Sequence, residues 1–163
     1  MRVFPSHEDW MKIALEEARS AFYENEVPIG AVLVKSNKPL YRNHNRTNQT
    51  KNPLAHAEKL VIEAAINDGE KFLQDYTIYV TVEPCLMCAG MMIWSRLGCL
   101  IYGARDSKGG AVGSIYNVLR DKSFNHQPRI ISGVMAEECS LVLKDFFQSD
   151  IGKLGDFLIT HSG

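Results

Sequence analysis

Three side chains in this sequence could hold a metal ion, and a fourth could move a proton beside it. His56-Ala57-Glu58 supplies an imidazole and a carboxylate, and Pro84-Cys85-Leu86-Met87-Cys88 supplies two thiols. One nitrogen and two sulfurs form a soft donor set that zinc takes tetrahedrally, leaving the fourth position for water. Structural zinc is usually closed by four protein ligands, so an open set of three implies catalysis. Zinc lowers the pKa of such a water from about 16 toward about 7. Glu58 is then the proton carrier, receiving from water and delivering to substrate. Each half has a plainer reading alone. A Cys-x-x-Cys pair can be a thioredoxin-like redox site, although small residues such as Gly-Pro usually stand where this chain has Leu86-Met87. A solitary histidine is more often a satisfied core or surface residue. The halves together, with proline before Cys85 and glutamate after His56, point to one catalytic Zn2+ per chain.

Both stretches must be delivered to one place by the elements around them. Ser6 and Asp9 resemble a capping box, with Asp where Glu or Gln is usual. Trp10, Ile13, Ala14, Ala18, Ala21 and Phe22 follow at helical spacing, which predicts an amphipathic helix to about Glu24. Ala31–Val34 reads as a buried strand, Ser36-Asn37-Lys38-Pro39 as a turn, and Leu40–Asn45 as the returning strand of a hairpin. Arg46–Pro53 is a polar loop. A second helix starts near Ala55 and runs to Asp68, where Gly69 stops it. The β-branched and aromatic run Ile78–Val82 is the clearest strand, and it delivers Pro84-Cys85 to the start of a third helix. Cys99–Tyr102 and Arg129–Ser132 are further strands, and Met135–Phe147 is a closing helix. Alternating strands and helices predict an α/β fold, a sheet covered on both faces, made mixed by the leading hairpin. Cys85 and Cys88, at i and i+3, can reach one ion from a helix whose N-terminus favours thiolate. His56 and Glu58, at i and i+2, point apart on a regular helix, which suits a ligand and a proton carrier. Alternatively, the backbone there is not yet helical.

Composition bounds the partners. With 163 residues, 45% of them hydrophobic and 23% charged, the chain suits one globular domain with a real core. Residues 1–148 are assigned to that domain and 149–163 to a C-terminal extension. Cys99 and Cys139 sit in apolar surroundings and read as small buried hydrophobes. There is no signal-peptide apolar core, and the longest uncharged apolar stretch, Pro84 to Ser95, is too short for a bilayer. No membrane partner and a cytoplasmic location are therefore expected. A net charge of −1 argues against binding long nucleic acid through many phosphates. It leaves a small, shape-specific RNA or a free base. The third helix carries Met91-Met92-Ile93-Trp94 in succession and so is apolar on every side, which predicts a homodimer to cover it.

His-x-Glu followed by Pro-Cys-x-x-Cys is the signature of zinc nucleobase deaminases. Beyond that signature the chain resembles the bacterial tRNA-specific adenosine deaminases. The matching segments include Glu26–Val34, Asn45-Arg46, Ala55–Glu58, Tyr79–Cys85, Met87–Met91, Gly103-Ala104-Arg105-Asp106, Asn125-His126, Glu138-Cys139 and Asp145-Phe146-Phe147. The resemblance implies a three-layer α/β/α sandwich of the cytidine deaminase type, with a mixed five-stranded sheet. It also implies a homodimer acting on a tRNA anticodon stem-loop, whose wobble adenosine is flipped out and converted to inosine. By that resemblance His56, Cys85 and Cys88 bind zinc and Glu58 shuttles protons. Asn45 meets the purine edge, or else closes the hairpin as a turn former. Arg105 and Lys108 meet phosphates or stay solvated. Asp106 accepts from a ribose 2′-OH or only caps its own Ser107-Lys108-Gly109 turn. His126 touches RNA, and of Phe146 and Phe147 one is core while the other stacks on a base. His7, His44 and His161 are given no role. The chain departs from the family in a mildly apolar segment from Ser149 to Gly163, where many relatives carry a basic tail. The polar loop Thr47–Lys51 is a second departure. Two rival readings remain: a zinc deaminase of a free base such as guanine or cytosine, and a non-catalytic zinc-binding subunit.

Overall fold

A computed structural model describes residues 3–149 of the chain. The extension assigned from residue 149 onward therefore lies, apart from Ser149, outside the described residues, as does His161. The elements run α1 (His7–Tyr23), β1 (Gly30–Lys35), β2 (Lys38–His44), α2 (Ala57–Asn67), β3 (Thr77–Val82), α3 (Leu86–Trp94), β4 (Cys99–Ala104), a 3-10 turn (Val118–Arg120), β5 (Arg129–Ser132) and α4 (Ala136–Gln148). One sheet orders them β2-β1-β3-β4-β5. β1 is antiparallel to both β2 and β3, while β3, β4 and β5 run parallel. The sheet is mixed and five-stranded, as the hairpin requires.

Alternation along the strands builds two cores. Leu33, Ile78, Val80 and Leu100 face α2 and α3, meeting Val61, Ile62, Ala65, Ala89 and Met92. Val32, Val34, Tyr79 and Ile101 face the other way, against Trp10, Met11, Ala14 and Leu15 of α1 and Cys139 of α4. Those layers make the α/β/α sandwich, and period-two burial on buried strands explains it. α1 lies so close to β1 that a Cβ on Gly30 would sit 1.9 Å from the Ala14 carbonyl oxygen, a backbone atom that cannot yield. No helix among the described residues is long and apolar enough to cross a membrane.

Several boundaries differ from the sequence reading for local reasons. The Ser6 box forms with Asp9: Ser6 Oγ accepts from Asp9 N at 3.2 Å, and Asp9 Oδ2 accepts from Ser6 N at 2.8 Å. The hairpin turn is only Ser36-Asn37, both with positive φ, the form that matches strand twist. Lys38 and Pro39 thus belong to β2, where an edge strand tolerates proline. α2 begins two residues later than Ala55, because His56 is an extended N-cap. Pro84 lies immediately before the α3 N-cap, Cys85, next to the first turn. Val118–Arg120 and the bridges Cys85–Gly110 and Val112–Asn117 were not foreseen.

Candidate active site

The ligand candidates come together at two helix N-termini. His56 caps α2 with φ −78° and ψ 151°, and Cys85 caps α3 with φ −74° and ψ 174°. The His56 side chain makes no bond to its own helix, and its imidazole faces the Cys85 thiol. Cys85 Sγ lies 3.6 Å from His56 Nδ1 and Cys88 Sγ lies 3.7 Å from it. The three ligand atoms all lie within 4.8 Å of one another. Tetrahedral bonds of about 2.3 Å to sulfur and about 2.05 Å to nitrogen put N and S about 3.6 Å apart. The donor set and its spacing therefore fit a tetrahedral zinc site.

Electrostatics agree with that donor set. The Cys88 thiol, His56 and the Cys88 backbone N–H hydrogen-bond to Cys85, and against the effect of burial they hold its thiol down at about 4. Cys88 is pushed far up, because its proton is shared with Cys85 and because it is buried. The bond between the two thiols thus lowers one and raises the other, and a metal bound here would take both as thiolates. Bonding to Cys85 raises the His56 imidazole above its ordinary value. Glu58 sits in the first turn of α2, buried, and burial raises its carboxyl to about 7, helped by the charge on Cys85. A carboxyl poised there can both take and return a proton near neutrality. The extended backbone at His56 resolves the i and i+2 question: the imidazole lies outside the helix and the carboxylate within it.

A cleft of about 500 Å³ opens on this group, lined by Val27, Ile29, Asn45 and Lys51 as well as His56 and Glu58. Asn45 is buried, and its one side-chain bond among the described residues is a long 3.5 Å contact to Thr47 Oγ1, so its amide is open to a ligand. Asp106 Oδ1 accepts from Lys108 N at 3.0 Å and Gly109 N at 3.1 Å, so it does cap its own turn, with Oδ2 left over. Arg105 and Lys108 are exposed on that loop. His126 is held by the Leu97 carbonyl oxygen at 2.6 Å, in a separate hollow with Trp94, Arg96 and Phe124. Phe146 is buried against Phe22, and Phe147 is exposed, edge-on to it. Neither His126 nor Phe147 is among the residues lining the cleft.

Sequence reasoning passed over three residues that support the cleft. His44, given no role, is buried between two carboxylates, Glu17 Oε2 at 2.6 Å and Glu24 Oε2 at 2.7 Å. Burial opposes its charge, yet the two carboxylates prevail and raise its pKa. Glu26 is fully buried and accepts from Asn48 N at 3.1 Å and Gln49 N at 2.6 Å, fixing the loop after β2. Glu83 accepts from Ser114 Oγ at 2.7 Å and Ser114 N at 3.3 Å, tying the loop after β4 beside Cys85. Gly110 is required there, since a Cβ would stand 2.6 Å from the Asp106 carbonyl oxygen, a backbone atom, as well as against the Glu83 carboxylate.

A three-donor group with a buried glutamate, set in a cleft on an α/β/α sandwich, defines a nucleobase deaminase. The MafB19-like deaminase family matches residues 5–150. A tRNA-specific adenosine deaminase of Bacillus subtilis (strain 168) is 45% identical over 140 residues, covering 85% of this chain and 87% of that protein. Another from Rickettsia bellii (strain RML369-C) is 46% identical over 141 residues, covering 85% and 97%. A solved structure from a study of A-to-I editing by tRNA:A34 deaminases at the wobble position superposes with a TM-score of 0.78. It is 42% identical and covers 82% of this chain and 98% of that one. The chain belongs to the bacterial tRNA-specific adenosine deaminase family.

Proposed function

We propose that this protein hydrolytically deaminates the wobble adenosine of a tRNA anticodon loop to inosine, with one zinc ion per chain. The observation that carries the reading is Glu58, buried beside the metal-binding group of a chain 45% identical to such deaminases over most of its length. His56, Cys85 and Cys88 hold the ion, which when bound supplies acidified water at neutral pH. Glu58 takes a proton from the attacking water and places it on the purine ring nitrogen beside the amino-bearing carbon. As that carbon gains the water oxygen, the carboxylate takes the second water proton and hands it to the departing amine. Adenosine and water thereby become inosine and ammonia. The Asn45 amide, held only by its long bond to Thr47 among the described residues, orients the purine edge. Arg105 and Lys108 meet the loop's phosphates, Asp106 offers its free oxygen to a ribose hydroxyl, and His126 and Phe147 touch RNA outside the cleft.

A homodimer completes the proposal. Trp94 is 85% exposed and Leu86 56% exposed, at opposite ends of α3, the helix that carries Cys88. Two large exposed apolar side chains on a helix that buries Cys88, Ala89, Met92 and Ile93 call for a covering surface, and a second copy supplies it.

The test is inosine formation, read by nucleoside mass spectrometry, on an anticodon stem-loop with adenosine at the wobble position. Turnover of the stem-loop and none of free adenosine, guanine or cytosine is expected. Turnover of a free base with none of the stem-loop would overturn the assignment.

A further inference from the structure

The loop between β2 and α2 contains Thr47–Lys51, one of the two stretches read above as unlike the family, and hydrogen bonds fasten it along its length. Glu26 takes the N–H groups of Asn48 and Gln49. Gln49 Nε2 donates to Glu24 Oε2 at 2.9 Å, and Thr50 Oγ1 donates to the Arg46 carbonyl at 2.7 Å. Asn52 N donates to the Thr47 carbonyl at 3.1 Å and Lys51 N to the Asn48 carbonyl at 3.2 Å. Lys51 itself stands in the left-handed region, at φ 50°. So fastened, the loop places one cation in the lining of the cleft that also exposes His56 and Glu58.

Among the described residues that cation has no counter-charge. The neighbouring arginines are committed, Arg42 to Glu16 and Glu17, and Arg46 to Glu24 and the Asn43 side chain. Lys51 is exposed and enters no ion pair among the described residues. A nucleotide flipped from RNA brings its ribose and both flanking phosphates to the mouth of a base pocket, whereas a free base brings neither. An unpaired ammonium on a rigid loop suits a phosphate, because little ordering is left to be done on binding.

We propose that Lys51 binds the phosphodiester flanking the flipped adenosine and so favours a nucleotide within RNA over a free base or nucleoside. The inference rests on the wobble-adenosine reading above. Lys51→Gln keeps length and loop while removing charge. On the zinc-loaded dimer with an anticodon stem-loop, KM should rise about five- to tenfold with kcat within about twofold. The slope of log(kcat/KM) against log salt should become shallower by about 0.7, the value for one phosphate of a single strand. Lys51→Arg should restore both. A stem-loop with a methylphosphonate at the contacted phosphate should cost the wild type a similar factor and cost Lys51→Gln nothing further. Wild-type turnover with the same KM and salt slope in Lys51→Gln overturns this proposal alone. A wild type that makes no inosine overturns the deaminase reading and this proposal with it.

Discussion

Replacing Glu58 by glutamine should separate the two costs of a buried proton carrier. Its carboxyl stands at about 7 against an ordinary 4.5, chiefly because burial disfavours the charge. A displacement of that size corresponds to about 3 kcal/mol against the ionised form. The sign follows from linkage. The folded pKa lies above the unfolded one, so the native state is unpenalised below about 4.5 and loses stability as pH rises through about 7. Glutamine is neutral throughout. In chelator-stripped protein, Glu58→Gln should therefore be more stable than wild type by about 3 kcal/mol at pH 8.5 and by less than about 1 kcal/mol at pH 5, by urea unfolding. In zinc-loaded protein the same variant should retain its metal while turnover of the stem-loop falls by roughly 2 to 4 orders of magnitude. A stability gain independent of pH would refute the burial argument. Near-normal turnover would mean that another group carries the protons.

Cys88 is buried, and its replacement by alanine leaves one imidazole and one thiol; metal content by mass spectrometry should drop well below one per chain, and stoichiometric metal would refute the ligand set. Trp94→Asp should convert a dimer into a folded monomer by light scattering at micromolar concentration with unchanged circular dichroism, and a monomeric wild type would refute the covering surface. The His44 clamp predicts a falling melting temperature on the alkaline side. Its imidazole is raised and contributes fully below about 6.5, then loses that contribution as pH climbs through the raised value. Glu17 and Glu24 are lowered, first through their bonds to His44, so their share is present above about 4.5 and lost in acid. His44→Gln should flatten the alkaline decline in a thermal scan across pH 6 to 9, and an identical pH profile would rule out the charged clamp.

What the sequence made legible was whatever leaves a periodic or chemical mark on the chain itself. Ile78–Val82 is β-branched and flanked by polar residues, and the strand lies there with one residue added. Cysteine and histidine are rare enough for their spacing to declare a shared ligand set. Glu26 and Glu83 leave no such mark, because their partners are backbone N–H groups of loops 22 and 31 positions further on. In sequence such a carboxylate is indistinguishable from a solvated one. His44 was passed over for the same reason, since Glu17 and Glu24 reach it only once α1 lies across β2. The stretch from Ala111 to Asn125 has no hydrophobic period, and its short bridges depend on the sheet edge already being in place. Trp94 shows the converse: its helix is apolar all round, yet the sheet covers only one side and leaves the indole out.

The donors His56 and Cys85 are 29 positions apart, and each caps a different helix. An ion held between them is therefore also a cross-link, closing a loop that contains all of α2 and β3. Treated as a disulfide would be, such a closure removes chain entropy worth about 3.6 kcal/mol from the unfolded ensemble. Only a chain with α2 and α3 already docked on β3 presents all three donors at once. An ion bound there would therefore favour the assembled chain over one in which the two helices are apart, besides serving the chemistry.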